Sequence, residues 1–365
     1  MIATRIPFMS LAPGEDAQDV RGAIDRVIAR GWFVLGPEVD AFETEFAAAM
    51  RAPHAVGVGT GTDAIALVLR ALGIGPGDEV ITTPLSAAYT ALAVMMTGAR
   101  PVFADIDPVR LTIDPGQVSR AIGPRTRAIL PVHLYGQPAD MAAIEQLAAR
   151  HNLAVVEDCC QAHLATAAGR PVGTIGVAGA FSFYPTKNLG AFGDGGAVIT
   201  RDAALADRVR LRNGGQTDRY RHESFGVNSR LDEMQAAILR ARLPRLASWT
   251  SRRRALAAAY RHALAGAPVE VPKECDAGHV YHLFVVRSRD NRARAALQAR
   301  LAASGIETLI HYPVPIPRQP ALAGTEPADC PVAARVCDEV LSLPLYPSLT
   351  DAELARVASA IKGTN

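Results

Sequence analysis

The sequence is poor in the features that mark several large protein classes. No apolar run reaches the ~18 residues of a membrane-spanning helix, and the N-terminus lacks the charged-then-apolar pattern of a secretory signal. The five cysteines, at 159, 160, 275, 330 and 337, form no CxxC pair, and their number is odd. Adjacent Cys159 and Cys160 are poorly spaced for zinc, so all five read as reduced thiols and no metal site is expected. These absences predict a soluble, cytoplasmic protein away from the membrane. A net charge of +2 with 20% charged residues leaves no basic footprint for nucleic acid. The densest basic cluster, Arg252-Arg253-Arg254, reads as the solvated face of a helix. Internal repeats and low-complexity segments are also missing.

What is present is a large apolar content. The chain has 365 residues, 49% of them hydrophobic, which predicts two domains. The periodicity predicts helices over 16–30 and 38–50, a strand over 54–59, a helix over 63–72 and a strand over 79–83. A helix over 87–97, strands over 101–105, 128–134 and 153–157, and a helix over 141–150 follow. Strands over 181–184 and 197–200 come next. Such alternation implies an α/β fold with a mostly parallel sheet flanked by helices. After Leu231 the texture changes to Ala/Arg-rich helices over 232–242 and 246–264, then a strand over 281–287, a helix over 293–304 and a last helix from about 351. The expected division is a large domain over 1–245 and a smaller α+β domain over 246–365. The apolar segment Trp32 to Leu35 lies in a loop and reads as packed or as interface.

Three stretches carry chemistry. In the first, Gly59-Thr60-Gly61-Thr62-Asp63 joins a strand to a helix. Glycines admit an anion to the backbone, and helix-start amides favour negative charge. The plainer alternative is a capped helix with Thr62 or Asp63 as cap. In the second, Asp158 ends the strand over 153–157, where a parallel sheet presents its ligand edge. A carboxylate there can keep a pyridinium nitrogen protonated; it can equally cap or pair with a cation. Gln161 and His163 follow, the latter read as a packed polar residue. In the third, Phe181-Ser182-Phe183-Tyr184-Pro185-Thr186-Lys187-Asn188-Leu189-Gly190 holds one lysine between aromatic residues and glycines. Burial would lower its pKa toward nucleophilic use, whereas a lysine at the mouth of a plain turn would stay solvated.

In this order, with Gly36-Pro37-Glu38, Pro131-Val132-His133-Leu134-Tyr135-Gly136, Asn228-Ser229-Arg230-Leu231-Asp232-Glu233 and Ile310-His311-Tyr312-Pro313, the chain resembles the DegT/StrS group of sugar-nucleotide aminotransferases. These are fold-type-I enzymes dependent on pyridoxal 5'-phosphate (PLP), and the matching segments run nearly end to end. The resemblance implies that Lys187 holds the cofactor as a Schiff base and carries the proton, and that Asp158 binds the pyridine nitrogen. It implies that Gln161 meets the ring hydroxyl and that Gly61, Thr62 and Ser182 hold the phosphate. Asn228 is implied to reach the cofactor phosphate of a neighbouring subunit, hence a homodimer with shared sites. Tyr184, His311 and Tyr312 match positions near the sugar. One departure concerns the ring that stacks on the cofactor: the family position counts to Ala88, and the aromatic residue here is Tyr89, one step later.

The expected reaction is amino transfer from glutamate to a keto group, at C3, of a nucleotide-linked deoxysugar. A 4-keto-sugar or keto-cyclitol substrate is the alternative. A PLP-dependent sugar dehydratase of the same family would carry histidine in place of Lys187. A non-enzymatic regulatory protein on this fold would not need both Asp158 and Lys187.

Overall fold

The structure, a computed structural model, describes residues 5–210, 216–218, 221–222, 226–322 and 329–363. Seven strands form the main sheet: β1 (His54–Val58), β2 (Glu79–Thr82), β3 (Arg100–Phe103), β4 (Thr126–Leu130), β5 (Ala154–Asp158), β6 (Ala178–Ser182) and β7 (Gly196–Thr200). Their order across the sheet is β1-β7-β6-β5-β4-β2-β3. Only β7 runs antiparallel to its neighbours, so the expected mostly parallel sheet is present.

Side chains alternate across a strand, and here both faces are apolar. Ile81, Ile129, Val155 and Ile199 pack on one face with Phe42, Phe46 and Ile144. Val80, Leu130, Val156 and Val198 pack on the other with Ile65, Leu67 and Leu69. The helices Pro37–Ala49 and Met141–His151 therefore cover one side, and Gly61–Ala71 covers the other. The strand expected over 128–134 stops at Leu130, and the chain instead tightens into a helical turn, Leu134–Gly136, with Tyr135 at φ 60°. The helices Pro115–Ala121, Ala203–Arg210 and Pro331–Glu339 were not expected, being too short for a clear apolar period.

A separate core forms from the C-terminal residues. The antiparallel pair Phe284–Arg287 and Val340–Leu343 packs against the helices Leu246–Ala263, Asn291–Ala303 and Asp351–Lys362. Tyr260 stacks on Phe284 at 4.8 Å inside it. Ile6 also belongs to this core, because the Ile6 N–H donates to Gly305 O (2.9 Å) and Ile6 O accepts from Glu307 N (3.0 Å).

The start of the helix Glu233–Arg242 ties the N-terminal helices down. The fully buried Glu233 carboxylate accepts N–H groups from Gly36 (2.9 Å), Glu38 (3.0 Å) and Val39 (2.8 Å), which caps the helix Pro37–Ala49. A buried amide left without an acceptor costs about 1–3 kcal/mol. Glu233→Ala should therefore lower unfolding free energy by about 3 kcal/mol or more, read as a lower urea midpoint. An unchanged midpoint would show that water replaces the carboxylate.

Candidate active site

Strand β5 ends in two carboxylates that point opposite ways. Glu157 turns inward and is consumed by structure: it accepts N–H groups from Gly173 (2.8 Å), Ile175 (2.8 Å) and Gly176 (2.7 Å) and contacts His133 Nε2 (3.0 Å). Asp158 turns the other way, toward the ligand edge. Its Oδ2 accepts from the Thr90 hydroxyl (2.8 Å), which touches Ser86 Oγ (3.1 Å), and its Oδ1 accepts from Cys160 N–H (3.1 Å). A carboxylate offers about four acceptor positions, so Asp158 can accept a further donor.

Lys187 lies in a tight turn after β6. Its N–H donates to Tyr184 O (2.8 Å), and the Ala191 N–H closes the turn on Phe183 O (2.7 Å). Behind the turn, Phe42, Phe46, Phe181 and Phe183 form edge-to-face contacts at 5.1–5.3 Å. Burying rings of this size contributes about 1.5–3 kcal/mol each, so the turn rests on a rigid floor. The adjacent Asn188 is buried and held twice, donating to Val280 O (3.3 Å) and meeting His282 Nδ1 with its Oδ1 (3.2 Å). Burial pushes the Lys187 amine below the usual lysine range, while neighbouring Cys160 and Asp158 oppose that shift. Lys187 itself is half-buried and borders a cavity.

The glycine turn meets this cluster from the other side. A Cβ on Gly61 would lie 2.6 Å from Cys160 Sγ and 2.8 Å from Ser182 Cβ. Only glycine leaves the close approach open. The helix cap is Thr60, whose hydroxyl accepts from Asp63 N–H (3.0 Å), rather than Thr62 or Asp63. Ser229 docks on the same turn, accepting from Gly59 N–H (2.9 Å) and donating to Asp63 (2.7 Å).

The C-terminal residues close the remaining side. Gln161 Oε1 accepts from Tyr135 N–H (2.7 Å), and its Nε2 donates to the Tyr312 hydroxyl (3.0 Å). The Tyr135 hydroxyl donates to His311 O, and His311 Nδ1 meets Ser342 Oγ (2.9 Å). A cavity of about 440 Å³ borders Lys187, Thr186, Trp249, Arg252 and Arg253.

This arrangement fits a pyridine ring with a phosphate arm. It offers an acid with a free acceptor position, a desolvated amine, and a glycine turn at a helix start. The DegT/DnrJ/EryC1/StrS aminotransferase family profile matches residues 15–362. The chain belongs to this family. DegT-family aminotransferases are PLP-dependent, so this aminotransferase takes that cofactor. A dTDP-3-amino-3,4,6-trideoxy-alpha-D-glucose transaminase of Streptomyces venezuelae is 51% identical, over 98% of this chain and 96% of that protein. A UDP-N-acetyl-3-dehydro-alpha-D-glucosamine 3-aminotransferase of Acidithiobacillus ferrooxidans is 45% identical, over 99% and 98%. The crystal structure of S. venezuelae DesV in complex with a ketimine intermediate superposes with a TM-score of 0.95 at 50% identity, covering 98% of both chains.

Of the residues singled out in the sequence, Asp158, Gln161, Ser182, Lys187, Gly61, His311 and Tyr312 come together in this DegT-family site. Tyr184 lies exposed at its mouth, and Tyr89 is 65% exposed at the first turn of the helix Tyr89–Met95. Asn228 is exposed, and Thr62, Tyr89 and Asn228 make no hydrogen bond to the cluster among the described residues. Sequence reasoning missed Thr90, Ser229 and His282. Ser229 lies in the Asn228–Glu233 motif; nothing near Thr90 or His282 signals a role.

Several histidines around the site are held neutral. Burial, then the Lys187 charge, pushes His163 down to about 3 and His311 to about 4; burial pushes His279 to about 3. His163 packs among Phe46, Phe181 and Phe183, and neither ring nitrogen has a hydrogen-bond partner among the described residues. Below the ordinary value of about 6.5 the unfolded chain takes up these protons first. Stability is therefore full above about pH 6.5 and falls toward pH 4, by about 1.4 kcal/mol per pH unit per histidine. The urea midpoint should drop between pH 8 and pH 5, and His163→Phe should shrink that drop. Equal midpoints at the two pH values would contradict the neutral state.

Proposed function

We propose that this aminotransferase moves an amino group from glutamate to the C3 keto group of a nucleotide-linked deoxysugar. The observation that carries this reading is the desolvated Lys187 amine beside Asp158, in a chain similar from end to end to two transaminases named for 3-amino sugar nucleotides. PLP, when bound, supplies the electron sink for exchanging an amino group between carbons. Asp158 keeps a proton on the pyridine nitrogen, and its bonds to Thr90 and Cys160 hold the carboxylate in place for that task. Lys187 takes and returns the proton at Nζ, a role suited to an amine whose pKa is lowered by burial. Gly61, Thr62 and Ser182 hold the phosphate at the helix start, Gln161 meets the ring hydroxyl, and Tyr89 covers the ring face. Tyr184, His311 and Tyr312 bind the sugar, and the cavity beyond Lys187 takes the nucleotide.

The same reading divides the chain at residue 245, a division supported by the separate C-terminal core. It also makes the enzyme a cytoplasmic homodimer. Five free cysteines and no described helix able to cross a membrane support the location. Trp32 and Phe33, 53% and 52% exposed, support an apolar interface, and exposed Asn228 supports a site completed across it.

The direct test is an assay with glutamate over a panel of nucleotide-linked 3-keto and 4-keto sugars. Wild-type enzyme should aminate a 3-keto sugar, and Lys187→Ala should abolish turnover while the circular dichroism spectrum is retained. The chain has only three lysines, Lys187, Lys273 and Lys362, so mass mapping after borohydride reduction assigns the linkage. An adduct on Lys273 or Lys362 would sink the assignment.

The dimer has its own test. Lys187→Ala and Asn228→Asp variants, each inactive, are mixed under proven subunit exchange. The site that keeps Lys187 then receives Asn228 from the other variant, and activity should return toward one quarter of wild type (a statistical estimate of about one competent site in four). No recovery would show that the sites are not shared.

A further inference from the structure

Arg253 is buried, with 4% exposure, in the middle of the helix Leu246–Ala263. The solvated helical face expected for Arg252-Arg253-Arg254 is therefore corrected: the helix turns Arg253 inward because it packs on the C-terminal core through Leu256, Ala257 and Tyr260. The surrounding arginines all have acids. Arg242 pairs with Asp16, Arg245 with Asp19, Arg252 with Asp351 and Arg254 with Glu274. Arg253 has none among the described residues. Its Nη1 donates to Leu345 O (2.9 Å), Tyr281 O (3.3 Å) and His282 O (3.3 Å), and its Nε has no partner.

Three carbonyl dipoles soften a buried cation without neutralising it. A guanidinium stays charged in a protein, and a buried charge without a counter-charge is costly. Arg253 lines the same cavity as Lys187 and Trp249, so a counter-ion has a space to occupy. His282 links the two neighbourhoods: its carbonyl accepts from Arg253, and its ring meets Asn188 next to Lys187. Both substrates of the proposed reaction carry oxyanions, as carboxylates on glutamate and as the diphosphate of the nucleotide.

We infer that Arg253 is an oxyanion-recognition residue of the cavity beside Lys187, reading a substrate carboxylate or diphosphate through its guanidinium. This rests on the aminotransferase reading above. The planar fork suits either group, since both present paired oxygens. Without the ligand the charge is compensated only by carbonyls; with it the pair is complete.

Calorimetry on the PLP-loaded enzyme tests this with matched charged and uncharged probes. These are UDP against uridine, TDP against thymidine, and glutamate against its N-acetyl diamide, which has neither carboxylate nor ammonium. Arg253→Met should weaken one charged probe at least tenfold while its uncharged partner changes less than twofold. Loss on a nucleoside diphosphate assigns the diphosphate, and loss on glutamate assigns the carboxylate. Should Arg253→Met fail to fold, Arg253→Lys keeps the charge but loses the fork, and should show a smaller loss of the same selectivity. The inference is overturned if charged probes bind the variant as they bind the parent. It is overturned equally if uncharged partners weaken as much, which marks Arg253 as a loop anchor only, or if the parent binds no charged probe. Amination of the cofactor by glutamate in the parent enzyme, followed by absorbance, is measured alongside. Its absence would sink the aminotransferase reading; its presence with unselective binding would sink only the role of Arg253.

Discussion

Burying an amine is expensive, and the centre of this protein is arranged around that expense. Lys187 is half-buried beside a cavity, and partial loss of hydration drives its pKa down. Nearby Asp158 and Cys160 pull in the other direction, so opposed influences tune the amine. This balance depends on exact placement. The phenylalanine floor fixes one side of the turn, and the Asn188 bonds to Val280 and His282 fix the other. A looser turn would let water in and return the lysine to its ordinary range.

The two acids at the end of β5 show how one strand serves stability and chemistry together. Alternation sends Glu157 and Asp158 to opposite faces. Glu157 meets three amides and the His133 ring, which anchors the loop at 173–176. Asp158 is bonded enough to be held and little enough to accept one more donor. A parallel sheet always brings such a strand end to its ligand edge, so the chemistry inherits its position from the fold.

The site is also a meeting point of distant segments. The glycine turn is locked by Ser229, Gln161 is bonded to Tyr312, and Arg253 holds the backbone at 281–282 beside the Lys187 turn. Ile6, at the other end of the chain, strengthens the C-terminal core that supplies Tyr312 and His311 their support. The geometry of the candidate site thus depends on how well the C-terminal core seats against the sheet.

By itself the sequence determined the alternation of strands and helices, because the apolar period of each element is local. It also determined the aminotransferase family, and it pointed to Lys187 and Asp158 as candidates, because the motifs carrying them are contiguous and keep their order. It did not determine the ends of short elements: β4 stops at Leu130 because Pro131 has no N–H to give the ladder, although Val132 still bridges Asp158 in the same register. Nor did it reveal that Thr90 orients Asp158, that Ser229 locks the glycine turn, or that Arg253 is buried while its neighbours Arg252 and Arg254 reach acids. Those facts are contacts between residues tens to hundreds of positions apart. A helical period places Arg253 on a face, but only the packing of that face against the C-terminal core decides whether the face meets water or the interior.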